Sequence, residues 1–340
     1  MKFLIIRFSS IGDIVLTTPV VRCVKKQMEN AEVHFLTKIS FKTVTEHNPY
    51  VDKFFYYDDN LVSLIKELKE EKYDYIIDLH KNIRSYRIRW ALRCKTLSYK
   101  KESIEKFLLT KLHINIMRKR HIVLRNLDAV ARLGVKDDGF GLDYFIGEKE
   151  NVRVEDLPAS HSMGYVAIVI GASYYTKKLP VYKLRELCST LNYPIVLVGG
   201  KNDTEEGNAV AAVDNVKVYN ACGKFSLNES AHIVKNAKLV ISHDTGLQYI
   251  ASAFNKPTLA VWGGTSPKLD VEPFYGDRFL STQKRSPYKN IFVAGLSCQP
   301  CSNFGTKKCP RGHFKCMHLQ DIDLIIKETA VQLGINTDNQ

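Results

Sequence analysis

Several signatures that would settle the class of this chain at once are missing. No apolar run in its 340 residues approaches the roughly 18–20 residues that a membrane-spanning helix needs. The stretch Phe3-Leu4-Ile5-Ile6 stops at Arg7 and lacks the layout of a secretory leader, so it reads as a strand and the expected compartment is the cytoplasm. No G-x-G-x-x-G follows that strand, only the single Gly12, and there is no Walker A run. These absences argue against a hydride-transfer enzyme and a P-loop ATPase. Acidic residues are also in deficit, 36 against 49 Lys and Arg, a formal charge of +13. Such a surplus favours a polyanionic partner (nucleic acid, an anionic membrane or a charged substrate) over a surface that is merely soluble. Much of it lies between Lys81 and Arg132.

What is present is an ordinary globular composition, 45% hydrophobic and 25% charged, which argues against disorder. The length suits two α/β domains. Strands are expected at Phe3–Phe8, Glu32–Thr37, Phe54–Tyr57 and Tyr75–Leu79, with one helix after Asp13 running through Pro19 and another at Leu61–Leu68. Basic helices are expected from Ile83 to Leu133. Asp137 to Ser162 has no clear periodicity and reads as the interdomain linker. The alternation restarts with strands at Tyr165–Ile170, Pro194–Val198, Val216–Tyr219, Leu239–Ile241 and Thr258–Trp262. The expected division is 1–150, 151–320, and a helix within 321–340 that packs back on the first domain. No short internal repeat is visible.

In an open parallel sheet, ligands bind beyond the carboxyl ends of the strands. The polar residues fall there: Ser9, Ser10, Gly12 and Asp13; Asp78, His80, Lys81, Asn82 and Arg84; Ser173, Thr176 and Lys177; Gly199, Gly200 and Asp203; Asp244 to Leu247; Gly264 and Thr265. Two of these turns, at Ser9–Asp13 and Ser242–Leu247, open helices, and helix starts attract anions. One such turn in each half suggests a two-domain enzyme closing on a phosphorylated ligand.

Arg7-Phe8-Ser9-Ser10-Ile11-Gly12-Asp13-Ile14-Val15-Leu16-Thr17-Thr18-Pro19 resembles the opening of the bacterial lipopolysaccharide heptosyltransferases, glycosyltransferase family 9. Gly171-Ala172-Ser173 with Thr176-Lys177-Lys178-Leu179-Pro180 resembles that family's second motif. Asp244-Thr245-Gly246-Leu247 with Ala251, Ala253, Pro257, Gly264-Thr265 and Pro267 resembles its third. The resemblance implies a GT-B fold, two facing Rossmann-like domains with parallel sheets. It also implies metal-independent, inverting transfer of heptose from an ADP-sugar to a phosphorylated lipid A–core acceptor.

That chemistry needs a base for the acceptor hydroxyl and a counter-charge for the departing diphosphate. Asp13 is the candidate base, against a purely structural role as an N-cap. Lys177, three residues before Pro180 as in the family motif, is the candidate for the leaving group, with the adjacent Lys178 either turned inward by the same loop or a solvated surface lysine. Ser173, Thr176, Asp244, Thr245, Gly246 and Leu247 are expected around the donor. Asp244 is expected to orient its turn or a sugar hydroxyl, because a carboxylate beside a diphosphate is unfavourable. By resemblance Glu229 holds the nucleoside ribose, with a capping box on Ser226 the equal alternative. Ser9, Ser10, Gly12, His80, Lys81 and Arg84 are expected on the acceptor side, where the basic stretch fits phosphate and carboxylate groups at an anionic membrane surface. Tyr249 stands where the family usually shows His. Tyrosine cannot become cationic near neutral pH, which leaves the donor sugar open.

Cys298-x-x-Cys301 with Cys309 and Cys316 suits either a structural zinc or reduced thiols; no metal is expected in catalysis. Two rivals remain. One is a sugar-nucleotide transferase or epimerase with a different donor. The other is a basic nucleic-acid-binding protein, disfavoured because the helices carry no recognised nucleic-acid motif.

Overall fold

The computed structural model describes residues 1–335; residues 336–340, the end of the expected C-terminal segment, lie outside the described residues. Among the described residues, eleven strands form two all-parallel sheets. The first contains β1 (Lys2–Ile6), β2 (Glu32–Lys38), β3 (Lys53–Tyr57), β4 (Tyr75–Asp78) and β5 (Lys95–Ser98), ordered β3-β2-β1-β4-β5. Its helices are α1 (Ile11–Val15), α2 (Thr18–Gln27), α3 (Lys42–Thr45), α4 (Leu61–Glu70), α5 (Ile83–Leu92), α6 (Ser103–Phe107) and α7 (Ile122–Asp128).

The second sheet contains β6 (Val166–Val169), β7 (Ile195–Val198), β8 (Val218–Asn220), β9 (Leu239–His243), β10 (Thr258–Val261) and β11 (Tyr288–Ile291), ordered β11-β10-β9-β6-β7-β8. With it go α8 (Val181–Thr190), α9 (Thr204–Ala211), α10 (Leu227–Asn236), α11 (Gly246–Ala253), α12 (Asp277–Leu280), α13 (Lys315–His318) and α14 (Ile322–Leu333). The central strands are buried on both faces, as crossover helices require. On β1, Phe3 and Ile5 enter one core and Leu4 and Ile6 the other. In each sheet the strand order reverses beside the first strand, between β1 and β4 and between β6 and β9. Ligand clefts form at such switch points.

Three expectations need correction. The helix after Asp13 is two helices: α1 ends at Val15, and α2 restarts at Thr18 with Pro19 in its first turn. Proline lacks an N–H and clashes with the carbonyl four residues back, so it sits at a helix start. The stretch from Ile83 to Leu133 is not helix throughout, because β5 interrupts it after Arg93 closes α5 in a left-handed conformation. Lys95-Thr96-Leu97-Ser98 is a short, half-polar edge strand, and β11 (Tyr-Lys-Asn-Ile) is another. Neither offers an apolar run to read. Finally, α14 packs on α8, β9 and β10, with Ile322 and Ile325 buried in the core of the second sheet, not back on the first domain.

Candidate functional site

All four switch-point strands end in the polar segments singled out above. After β1, Ser10 is the N-cap of α1 and Asp13 is its third residue, not its cap. Asp13 Oδ2 accepts from the Ser10 N–H (3.1 Å) and the Ser10 hydroxyl (3.0 Å), while Oδ1 lies 2.7 Å from Arg7 Nη2. Burial alone would raise this carboxyl; the Arg7 charge and the Ser10 N–H outweigh it and hold the group below the ordinary aspartate range. About a third of the side chain stays open, 35%. The start of α1 is therefore no anion site, because its own carboxylate already fills it.

Arg7 is the residue that the sequence reading passed over. It ends an apolar strand and is nearly buried, its Nε donating to Ser9 O (3.0 Å) and its Nη1 to Leu79 O. A charged side chain closing such a strand, inside the first motif, was the available signal. After β4, buried Asp78 accepts the N–H groups of His80 (3.0 Å) and Lys81 (2.8 Å) and so shapes their loop. Burial, reinforced by the Arg7 charge, pushes His80 down to about 4, and its Nδ1 has no partner. Lys81 Nζ donates to Tyr99 O (2.9 Å). Arg84 lies over the Tyr57 ring.

In the second half, α11 begins where β9 ends. Thr245 is its N-cap, accepting from Leu247 N (3.3 Å). Asp244, buried, takes Lys177 Nζ on Oδ2 at 2.7 Å and Thr265 Oγ1 at 2.8 Å, and Tyr249 OH approaches Oδ1 at 3.4 Å. Lys177 Nζ also donates to the Asp244 carbonyl (3.0 Å). Two of its three N–H groups are thus spent holding the turn, and one is left for a ligand. Lys178 is committed elsewhere, to Asp203 (2.9 Å) and Glu206, so the two adjacent lysines are separated by their partners.

Thr176 does not offer its hydroxyl to a donor. It is buried, accepts from Thr306 N (2.7 Å) and donates to Thr306 O (3.2 Å), while its own carbonyl takes Gly264 N (2.7 Å). Ser173 is exposed. Glu229 forms the capping box with Ser226, accepting its N–H at 2.7 Å.

The two halves meet at these turns. A Cβ on Gly12 would come within 2.6 Å of the Tyr249 ring, and one on Gly246 within 2.5 Å of Ile11. Bare α-carbons let the starts of α1 and α11 touch, so Gly12 is buried against the other half rather than open to an acceptor. Tyr249 and Ile250 share one buried cluster with Ile14 and Val15. Burial, with the Asp244 and Asp13 charges adding to it, pushes the Tyr249 phenol well above its ordinary range, so it stays protonated and donates to Val271 O (2.7 Å).

The cysteines lie in a segment that packs on the loop after β10. Cys301 N donates to Gly264 O (3.0 Å), and Gln299 Nε2 to Gly263 O (2.7 Å). Their thiols are engaged separately: Cys298 Sγ is 3.7 Å from His313 Nε2, Cys301 Sγ faces Gly264 O at 3.5 Å, and Cys309 Sγ accepts from Phe314 N at 3.4 Å. Burial, with the neighbouring thiols adding to it, pushes Cys316 up to about 12. Among the described residues, the groups of three candidate metal-binding atoms within 4.8 Å are Cys23 with Asp137 and Asp138, and Glu32 with His34 and Glu71, not these cysteines.

Known proteins resemble this chain in sequence and in fold. Lipopolysaccharide heptosyltransferase 1 of Campylobacter coli is 24% identical over 312 residues, covering 84% of this chain and 90% of that protein. Among solved structures, a family 9 glycosyltransferase from Veillonella parvula superposes with a TM-score of 0.74 at 20% identity, covering 98% of this chain and 97% of that one. The E. coli ADP-heptose lipopolysaccharide heptosyltransferase II gives 0.71 at 18% identity, covering 98% of each chain. The family model for glycosyltransferase family 9 matches residues 61–290. The chain belongs to glycosyltransferase family 9, the heptosyltransferases.

Proposed function

We propose that this glycosyltransferase moves heptose from ADP-heptose to the lipid A–core oligosaccharide of lipopolysaccharide, with inversion at the anomeric carbon and without a catalytic metal. The observation that carries the reading is the meeting of the α1 and α11 starts, with a partly open carboxylate on one side and a lysine-held turn on the other. The acceptor hydroxyl gives its proton to Asp13, and its oxygen attacks the anomeric carbon from the face opposite the diphosphate. The bond from that carbon to the diphosphate oxygen breaks. The charge left on ADP meets the third N–H of Lys177 and the N-terminal end of α11, where Thr245, Gly246 and Leu247 lie. Asp244 holds the turn and the lysine.

The acceptor lies over the first half, near Ser9, Ser10, His80, Lys81 and Arg84, and Glu229 serves the ribose through its remaining carboxylate oxygen. A lipid-linked acceptor makes the enzyme peripheral at the inner face of the cytoplasmic membrane, with no nucleic acid involved. The expected division at residue 150 belongs to this reading. A structural zinc on Cys298, Cys301, Cys309 and Cys316 would need sulfurs roughly 3.8 Å apart, given Zn–S near 2.3 Å. Metal analysis of the purified protein decides that point.

Incubating the protein with acceptor and either ADP-heptose or UDP-sugars tests the donor. Release of ADP alone is expected. Release of UDP with ADP-heptose untouched would redirect the reading to another donor, which Tyr249 in the family's usual His position is the one residue to favour.

A further inference from the structure

Nearly all of the net charge sits in one stretch: residues 81–120 hold thirteen Lys and Arg against Glu102 and Glu105. The same stretch exposes large apolar side chains. On α5, Ile83 is 81% exposed, Tyr86 62% and Trp90 68%. Their spacing of three and four residues puts them in one stripe, while Ser85 and Ile88 face the protein. On α6, Ile104 and Phe107 are exposed as well. Lys81 Nζ bonds Tyr99 O (2.9 Å) and Lys101 Nζ bonds Lys81 O (3.4 Å), tying the start of α5 to the segment leading into α6. Guanidinium groups lie over the aromatic rings, Arg89 over Tyr86 and Arg93 over Trp90.

We propose that Ile83, Tyr86 and Trp90 of α5, with Ile104 and Phe107 of α6, form the face by which the enzyme docks on an anionic lipid bilayer. Apolar side chains enter the headgroup–acyl boundary while the surrounding Lys and Arg meet anionic headgroups, the usual physics of interfacial helices. The isoleucines decide for lipid over RNA: aliphatic groups partition into acyl chains but do not stack on bases. The inference rests on the lipid-linked acceptor proposed above. It would also set the loop of His80 and Lys81, which leads into α5, beside the surface that carries that acceptor.

The chain contains two tryptophans, and they make the test direct. Trp262 is fully buried and its Nε1 donates to Asn290 (2.9 Å), so a change in emission on adding lipid reports Trp90. Vesicles of phosphatidylcholine with about 30% phosphatidylglycerol should blue-shift the emission and sediment with the protein, less so as salt rises. The I83S/Y86S/W90S variant should keep its circular dichroism and melting temperature, since these side chains are exposed, yet lose at least about tenfold in vesicle affinity. Binding without a blue shift, equal binding by the variant, or no binding at low salt overturns the proposal. So does tight binding of poly(U) RNA at physiological salt while vesicles leave the emission unchanged. Transfer to a deacylated, water-soluble acceptor should be the same for wild type and variant. If wild type shows the vesicle shift but no transfer, docking stands and the functional reading falls.

Discussion

A carboxylate that takes a proton from a sugar hydroxyl must be ionised, reachable and aimed, and Arg7 bears on all three. Its guanidinium holds Asp13 Oδ1 at 2.7 Å and helps keep the carboxyl below its ordinary range. The acidic limb of the pH–rate profile due to Asp13 should therefore lie below the ordinary aspartate range. Replacing Arg7 by Gln removes the charge that opposes burial, so the limb should move to higher pH; an unmoved profile would contradict this account of Asp13. In the proposed mechanism Lys177 has a double task. K177M should slow transfer by roughly 10²–10³-fold. It should also lower stability in urea by about 3 kcal/mol, because buried Asp244 loses its cation. Activity lost with no change in stability would mean that the pair does not hold the turn.

The contact between α1 and α11 is as tight as two helix starts allow, and it belongs to pairs of residues across two elements. G12A should lower both stability, by about 1–3 kcal/mol, and transfer, by pushing Tyr249 away. In a double-mutant cycle with Y249A the penalty should shrink; simple additivity would show that the two do not press on each other. T176V would leave the half-buried Thr306 N–H without its acceptor, a loss of about 1 kcal/mol, measurable by thermal unfolding.

The central strands were legible in the sequence, because β1, β6 and β9 are apolar runs closed by polar turns. The edge strands β5 and β11 were not, since half their residues are polar and their pairing comes from neighbours distant in sequence. Among site residues, Asp13, Lys177 and Asp244 could be read from motif and strand end. The separation of Lys177 from Lys178 could not be read that way, because it depends on where Asp203 and Asp244 fall in space. Nor could the roles of Arg7, Gln299 and Thr306, which act through contacts across the chain.

Taken whole, the molecule carries most of its net charge in one stretch of sequence and its acid sensitivity in its interior. His243 is buried and accepts Leu179 N–H at 2.9 Å, which only a neutral ring can do. Burial pushes it down to about 3, and His121 to about 4. The unfolded chain protonates these rings near pH 6.5 and the folded one does not. Stability is therefore full above that pH and falls below it, by up to about 1.4 kcal/mol per pH unit for each ring until its folded pKa is reached. A melting temperature that stayed flat from pH 7 to pH 4.5 would contradict this, with the range set by those ordinary and shifted values.

Across the molecule, the account joins a base in one half to a donor turn in the other. Single-turnover ADP release from ADP-heptose with saturating acceptor, compared between wild type and D13N, tests that most directly. The account predicts ADP affinity unchanged and transfer slower by about 10²–10⁴-fold. Transfer by D13N at the wild-type rate would contradict it.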